Sequence, residues 1–195
     1  MLKDGYQDVP AGKIASVVTS LEMATRPTPH PEPAARWQLV RHERPDPHWY
    51  RDLYHRVGAQ WLWFSRLRLP LEDLAAIIQH PDVEVYAVRH GGSDEGLLEL
   101  DFRTPDVCEL AFFGLTSALI GTGAGRWLMN RATEAAWVRP ISRLWVHTCT
   151  LDHPGALDFY RRAGFVPVHR QVEIADDPRQ LGVLARDVAP QVPLL

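Results

Sequence analysis

Ile120-Gly121-Thr122-Gly123-Ala124-Gly125-Arg126 sets three glycines at alternate positions, directly before a helical pattern, Arg126-Trp127-Leu128-Met129-Asn130-Arg131-Ala132. A helix start carries unpaired N–H groups and a partial positive charge, and glycine lets an anion come close to them. Ahead of the loop runs Cys108-Glu109-Leu110-Ala111-Phe112-Phe113, which reads as a strand. Strand, glycine loop and helix in this order predict a site for a phosphorylated cofactor. Two familiar loops do not fit the spacing. A P-loop needs Lys and then Ser or Thr after its last glycine, where Arg126-Trp127 stands. A dinucleotide fingerprint needs glycine at its sixth position; counted from Gly121 that residue is Arg126, and from Gly123 it is Leu128. A merely flexible loop is the competing reading of the glycines alone, so the downstream sequence decides.

Downstream, residues 144–150 form an apolar strand-like segment. Asp152-His153-Pro154-Gly155-Ala156-Leu157-Asp158-Phe159-Tyr160-Arg161-Arg162-Ala163-Gly164-Phe165 follows. Asp152 or His153 is expected to open a short helix, with Pro154 near its first position and Gly164 just past its end. Ala156, Phe159 and Tyr160 share a face at helical spacing. This order resembles the GNAT superfamily of acyl-CoA-dependent N-acyltransferases. That family has a strand, a Q/R-x-x-G-x-G/A loop, a helix, a strand, and a helix carrying Tyr before a Gly-Phe pair. The match lies at residues 120–125 and 156–165, and with flanking elements the resemblance spans residues 37–175.

The resemblance implies an α/β fold: a GNAT-type mixed, mostly antiparallel central sheet flanked by helices. It implies acetyl-CoA as cofactor and acetyl transfer to a primary amine by direct attack in a ternary complex. Such a reaction makes three demands. The amine must be neutral, the developing oxyanion needs donors, and the departing thiolate needs a proton. By resemblance, the main-chain N–H groups of Gly121, Thr122, Gly123, Ala124, Gly125 and Arg126 face the CoA diphosphate, and the pantetheine lies along Phe113, Gly114 and Leu115. Ile120 stands where the family has Gln or Arg, and the Arg126 side chain is either its replacement or a solvated helix residue. Tyr160 matches the general acid; packing on the inner helix face is its plainer role. His153 takes a position where the family often has Asn.

Glu109 is the expected base, directly or through a water, because the strand leading to the cofactor carries a carboxylate in several GNAT enzymes. A structural ion pair is its alternative. Strand alternation would set Glu109, Ala111 and Phe113 on one side and Cys108, Leu110 and Phe112 on the other. Glu99 and Asp101 share a face of the preceding strand, as a second candidate base or an acidic patch for the amine. Trp61 and Trp63 fall in the region that walls the acceptor in this family; core packing is their plainer role.

Whole-chain properties bound these readings. The 195 residues suit one domain plus an extension, divided at residues 1–36, 37–175 and 176–195. A net charge of −3 argues against a basic nucleic-acid binder. No apolar run reaches a membrane span, and residues 1–30 lack a signal peptide's apolar core. Cys108 and Cys149 read as reduced core thiols of a cytoplasmic protein, and His147, Cys149 and His153 lack the spacing of a metal site. Residues 13–23 read as a strand ahead of a proline-rich connector with Pro27, Pro29, Pro31 and Pro33. That strand either extends its own sheet or pairs with a neighbour, as in a homodimer. The tail, residues 175–195, has no clear period, although residues 177–184 admit a helix. The expected partner is a small-molecule or peptide amine; a non-catalytic acyl-CoA sensor and a dimeric scaffold are the alternatives.

Overall fold

The computed structural model describes residues 4–32, 34 and 36–195. Pro33 of the alternating prolines lies outside the described residues. In chain order the elements are β1 (Lys13–Met23), β2 (Gln38–His42), α1 (Pro47–Gly58), α2 (Leu71–Ile78), β3 (Val83–His90), β4 (Ser93–Asp101), β5 (Val107–Leu115), α3 (Ala124–Ala136), β6 (Arg143–Cys149), α4 (Ala156–Arg162) and β7 (Val166–Asp176). The strands form one sheet in the order β2-β3-β4-β5-β6-β1-β7. Every neighbouring pair is antiparallel except β5–β6.

Helices cover the two faces by amphipathic spacing. Asp46 caps α1, accepting from the N–H groups of His48 and Trp49, and Pro47 occupies the first turn, where its missing N–H costs nothing. Tyr50, Leu53, Tyr54 and Val57 recur at helical intervals and bury against Val83, Val85, Ala87 and Leu97, with Leu74 and Ile78 of α2 beside them. On the other face α3 buries Ala124, Trp127, Leu128 and Ala132 against Leu98, Leu100, Leu110, Leu144 and Val146. Each fully buried Leu or Val contributes roughly 1.5–3 kcal/mol.

β1 extends its own sheet, one of the two arrangements foreseen for it, and does so as an inner strand. One side of β1 pairs with β6, from Val18↔Cys149 to Met23↔Leu144; the other pairs with β7, from Lys13↔Asp176 to Glu22↔Val166. From Val18 to Glu22 both backbone edges are therefore used within the chain, so these residues have no free edge for strand pairing with a second copy.

Three local expectations are corrected. First, α4 begins at Ala156, two residues later than expected. Gly155 precedes it without a side-chain cap, and Pro154 lies in the preceding turn. Gly164, at φ 103°, ends the helix as foreseen. Second, residues 177–184 fold into turns. Asp177 and Arg179 form an ion pair of 2.7 Å, both almost fully buried. Arg179 Nη1 also donates to the carbonyls of Val188, Ala189 and Val192. Those carbonyls reward a turned path over a helix.

Third, the alternation along β5 is broken. Glu99 pairs with Phe112 and Leu100 with Leu110, so Ala111 is an extra residue, a β-bulge. Glu109, Phe112 and Gly114 consequently share a face with Glu99, Asp101 and Leu97. Leu110 and Phe113 join Leu98 and Leu100 on the other. Phe113 therefore does not share a side with Glu109, and Phe112 does.

Candidate active site

The bulge sits where the sheet opens. β5 and β6 pair at only three positions: Val107↔Arg143, Cys108↔Leu144 and Glu109↔Trp145. Beyond Glu109 the two strands part, and the backbone of residues 110–115 faces a gap. A cavity of about 690 Å3 fills it, reaching from Glu109 past Phe112 and Gly114 to Gly121, Gly125 and Tyr160.

At its upper end lies the glycine loop. Gly121 and Gly123 take left-handed φ values of 79° and 93°, which only glycine adopts without strain. Not all six expected amides are free. The Thr122 N–H donates to the Leu119 carbonyl, and the Ala124 N–H donates to Thr122 Oγ1. Among the described residues, the amides of Gly121, Gly123, Gly125 and Arg126 have no such partner. A Cβ at Gly125 would extend into this space, no closer than 3.7 Å to Phe159. Four unpaired amides at a helix start, with room above them, fit a diphosphate. The Arg126 side chain turns away: its Nη1 donates to the Pro31 carbonyl at 3.3 Å. It does not replace the side chain missing at the exposed Ile120.

Phe113, Gly114 and Leu115 line the parted strand as expected. Gly114 has a further cause. A Cβ there would stand 2.4 Å from Val57 Cγ1 and 3.0 Å from the Trp63 ring, so the chain itself needs the space. Trp63 lies over this glycine, and its Nε1 donates to Asp152 Oδ1 at 3.1 Å. Asp152 Oδ2 accepts from Thr148 Oγ1 and the Cys149 N–H. Trp63 thus ties the α1 side of the gap to the loop after β6. Trp61 meets the His153 ring edge at 5.3 Å, and His153 Nδ1 accepts from the Gly155 N–H. Both Trp61 and His153 line the cavity.

The titratable groups divide sharply. Burial pushes the Glu109 carboxyl up to about 7, and the charges of Asp101 and Glu99 add to the shift. Its nearest basic neighbour, His147 Nδ1, is 3.9 Å away. A carboxylate that titrates near neutrality suits proton abstraction. Burial, then the charge of Asp152, holds the Tyr160 phenol well above its ordinary range, so it keeps its proton at neutral pH. Its hydroxyl has no side-chain or backbone partner among the described residues.

Glu99, the second candidate base, is closed off. It is fully buried, accepts from the Tyr50 hydroxyl, and pairs with Arg66 Nη2 at 2.5 Å. Both its carboxylate oxygens are thus engaged within the protein, by Tyr50 and Arg66. Asp101 does line the cavity. Burial raises its carboxyl, but hydrogen bonds from Arg103 outweigh that and hold it below the usual range. It is therefore a committed anion and a poor base. Arg66, Asp152 and Glu173 also border the cavity and were missed. Arg66 and Asp152 lie in loops without a periodic pattern. Glu173 reads in sequence as one more polar residue of a strand.

The acetyltransferase (GNAT) family model matches residues 48–165. No curated protein matches the chain. Among solved structures, a GCN5-related N-acetyltransferase from Sphaerobacter thermophilus is similar at TM-score 0.60 and 15% identity, over 88% of this chain and 53% of that one. A tandem GNAT protein from the clavulanic acid biosynthesis pathway is similar at TM-score 0.53 and 16% identity, over 88% and 55%. An aminoglycoside acetyltransferase from an uncultured soil metagenomic sample, in complex with sisomicin, is similar at TM-score 0.55 and 14% identity, over 66% and 88%. The chain thus spans about half the length of the first two. At these identities the likeness shows the fold alone.

Proposed function

Because the chain belongs to the GNAT acetyltransferase family, we propose that it moves an acetyl group from acetyl-CoA to a primary amine by direct attack in a ternary complex. When bound, the CoA thioester supplies an activated acyl carbon and a thiolate leaving group. The amides of Gly121, Gly123, Gly125 and Arg126 would grip the diphosphate. The parted edge of β5 would hold the pantetheine, with Trp63 covering the gap from the acceptor side. Glu109, as carboxylate, takes a proton from the attacking nitrogen. Tyr160 gives its phenolic proton to the departing sulfur. The new C–N bond forms as the C–S bond breaks, so charge and protons balance. The acceptor is a small-molecule or peptide amine, and the free thiols of Cys108 and Cys149 fit a reducing cytoplasm.

One observation carries this reading: a near-neutral carboxylate and a protonated phenol border the same opening as the unpaired loop amides. The test is calorimetry with acetyl-CoA, then thiol release over a panel of amines. Tyr160→Phe and Glu109→Gln should keep cofactor affinity and each lose about 100-fold in kcat. No heat of binding, with a melting temperature unmoved by saturating acetyl-CoA, would end the proposal. A non-catalytic acyl-CoA sensor is the second reading, favoured by Ile120 in place of a polar loop residue. It is supported if binding is tight and no amine is acetylated.

A further inference from the structure

Hydrogen bonding around Glu109 is lopsided. Glu99 accepts from Tyr50 with one oxygen and from Arg66 with the other. Both oxygens of Asp101 accept from Arg103, and those of Asp152 from Trp63, Thr148 and the Cys149 N–H. Each oxygen of these three carboxylates thus already has a donor. The guanidinium of Arg66 is less well served. It reaches the cavity from the loop between α1 and α2, with its side chain 13% exposed. Nη2 donates to Glu99 Oε1, Nε is shut off from water with no partner, and Nη1 makes no hydrogen bond among the described residues. A guanidinium carries five N–H donors, and a buried one left short is costly. The free capacity beside the base is therefore that of a donor, and it calls for an anion.

Position decides which anion. Arg103 also borders the cavity, but its side chain is 42% exposed, so water can serve its remaining donor. Arg66 is held between Glu99 and an aromatic face, its Cζ 5.1 Å from the Phe112 ring centre. In such low polarity each bond that a guanidinium makes is stronger than in water. Glu99 pairs with Phe112 on β5, and Asp101 pairs with Glu109. Arg66 thus stands one two-residue step of the sheet from the base, roughly 7 Å. A charge-assisted hydrogen bond of about 2.8 Å at each end leaves only a few covalent bonds between the amine and the anion of the acceptor.

We propose that the acceptor is an amino acid, its amine at Glu109 and its carboxylate on the Arg66 guanidinium. The inference rests on the acetyl transfer proposed above and names its acceptor. A planar guanidinium matches a carboxylate in shape as well as charge. Trp61, Trp63 and Phe64 line the same cavity and would take an apolar side chain. A polyamine or an aminoglycoside calls instead for a second open carboxylate near the base. Glu173 is the cavity's remaining carboxylate among the described residues, and it stands on β7, three strands away from β5.

Thiol release from saturating acetyl-CoA over the protein amino acids, each beside its α-amide, reads the proposal, with spermidine and an aminoglycoside as further acceptors. The best amino acid should exceed its amide at least about tenfold in kcat/KM, the strength of one charge-assisted hydrogen bond. Arg66→Met alone would leave Glu99 buried and unpaired, so the variant to use is R66M/E99Q. It should bind acetyl-CoA within about twofold of the wild type and use amide and acid equally. A merely structural role for Arg66 would slow both alike and keep their ratio. Calorimetry of the amino acids on the chain, with and without CoA, separates this inference from the function beneath it. Heat that R66M/E99Q abolishes upholds the Arg66 site even if no amine is acetylated. Equal use of acids and amides by the wild type, a preference for spermidine or the aminoglycoside, or a ratio unchanged in R66M/E99Q would overturn the proposal. So would the absence of both turnover and heat with every amino acid.

Discussion

Glu109 shows how a single residue gains its chemistry from position. It stands on the last rung before β5 and β6 part, partly shielded and facing two other carboxylates. Burial pushes its folded carboxyl up to about 7, against 4.5 for a freely solvated glutamate. Between those values the folded chain holds a proton that the unfolded chain has lost. Stability must therefore fall as pH rises through that window, with the full cost present above 7. Glu109→Gln removes the cost: it should be more stable than the wild type at pH 8, on the order of 2 kcal/mol, and gain much less at pH 4.5. Chemical denaturation at the two pH values checks this. Equal differences at both would show that Glu109 titrates normally. Wild-type kcat/KM should rise through pH 7 as the carboxylate form appears, and the rise should vanish in Glu109→Gln. Tyr160 is the complementary case, since burial keeps its proton in place at every pH where the base is active.

At the scale of the element, β5 carries most of the design. Its bulge at Ala111 brings Phe112 and Gly114 onto the face of Glu109, and Gly114 accommodates Val57 and Trp63. Gly114→Ala forces a Cβ to within 2.4 Å of Val57 Cγ1, so it should cost about 1–3 kcal/mol by overpacking. A lower melting temperature measures it; an unchanged one would mean that Val57 and Trp63 yield freely. The bounds of β5 were legible in sequence, because an apolar run ends at a glycine loop. The loop and the Tyr160 helix were legible too, since each depends on residues close together in the chain. The bulge was not, because alternation assumes one residue per rung and only the partner strand reveals the extra one. The partners of Glu99 were not legible for a similar reason: Tyr50 and Arg66 lie 49 and 33 residues away. Residues 177–184 looked helical because their spacing says nothing of the three carbonyls that Arg179 collects.

For the whole molecule, the two chain ends complete what the middle leaves open. β1 crosses from the connector to fill the place between β6 and β7, and without it β7 has no partner in the sheet. The tail then folds back, with Leu184 and Ala189 against Ile14 of β1 and against Leu62, beside Phe64. Leu62 and Phe64 are cavity wall. Arg179 holds this tail: it is 2% exposed, paired with Asp177, and bonded to three carbonyls. Removing one partner of a buried pair leaves the other uncompensated, so Arg179→Met should cost about 3–5 kcal/mol. In a domain of this size that lowers the melting temperature by about 10 °C. The double variant D177A/R179M should recover part of the loss, because no lone charge remains. The kinetic consequence separates the two ends of the cavity. The tail packs beside the acceptor wall and makes no hydrogen bond to the glycine loop among the described residues. Below its melting temperature, Arg179→Met should therefore raise the acceptor KM several-fold while the acetyl-CoA dissociation constant stays within about twofold. Equal losses in both would mean that the tail supports the fold as a whole and has no special hold on the acceptor side.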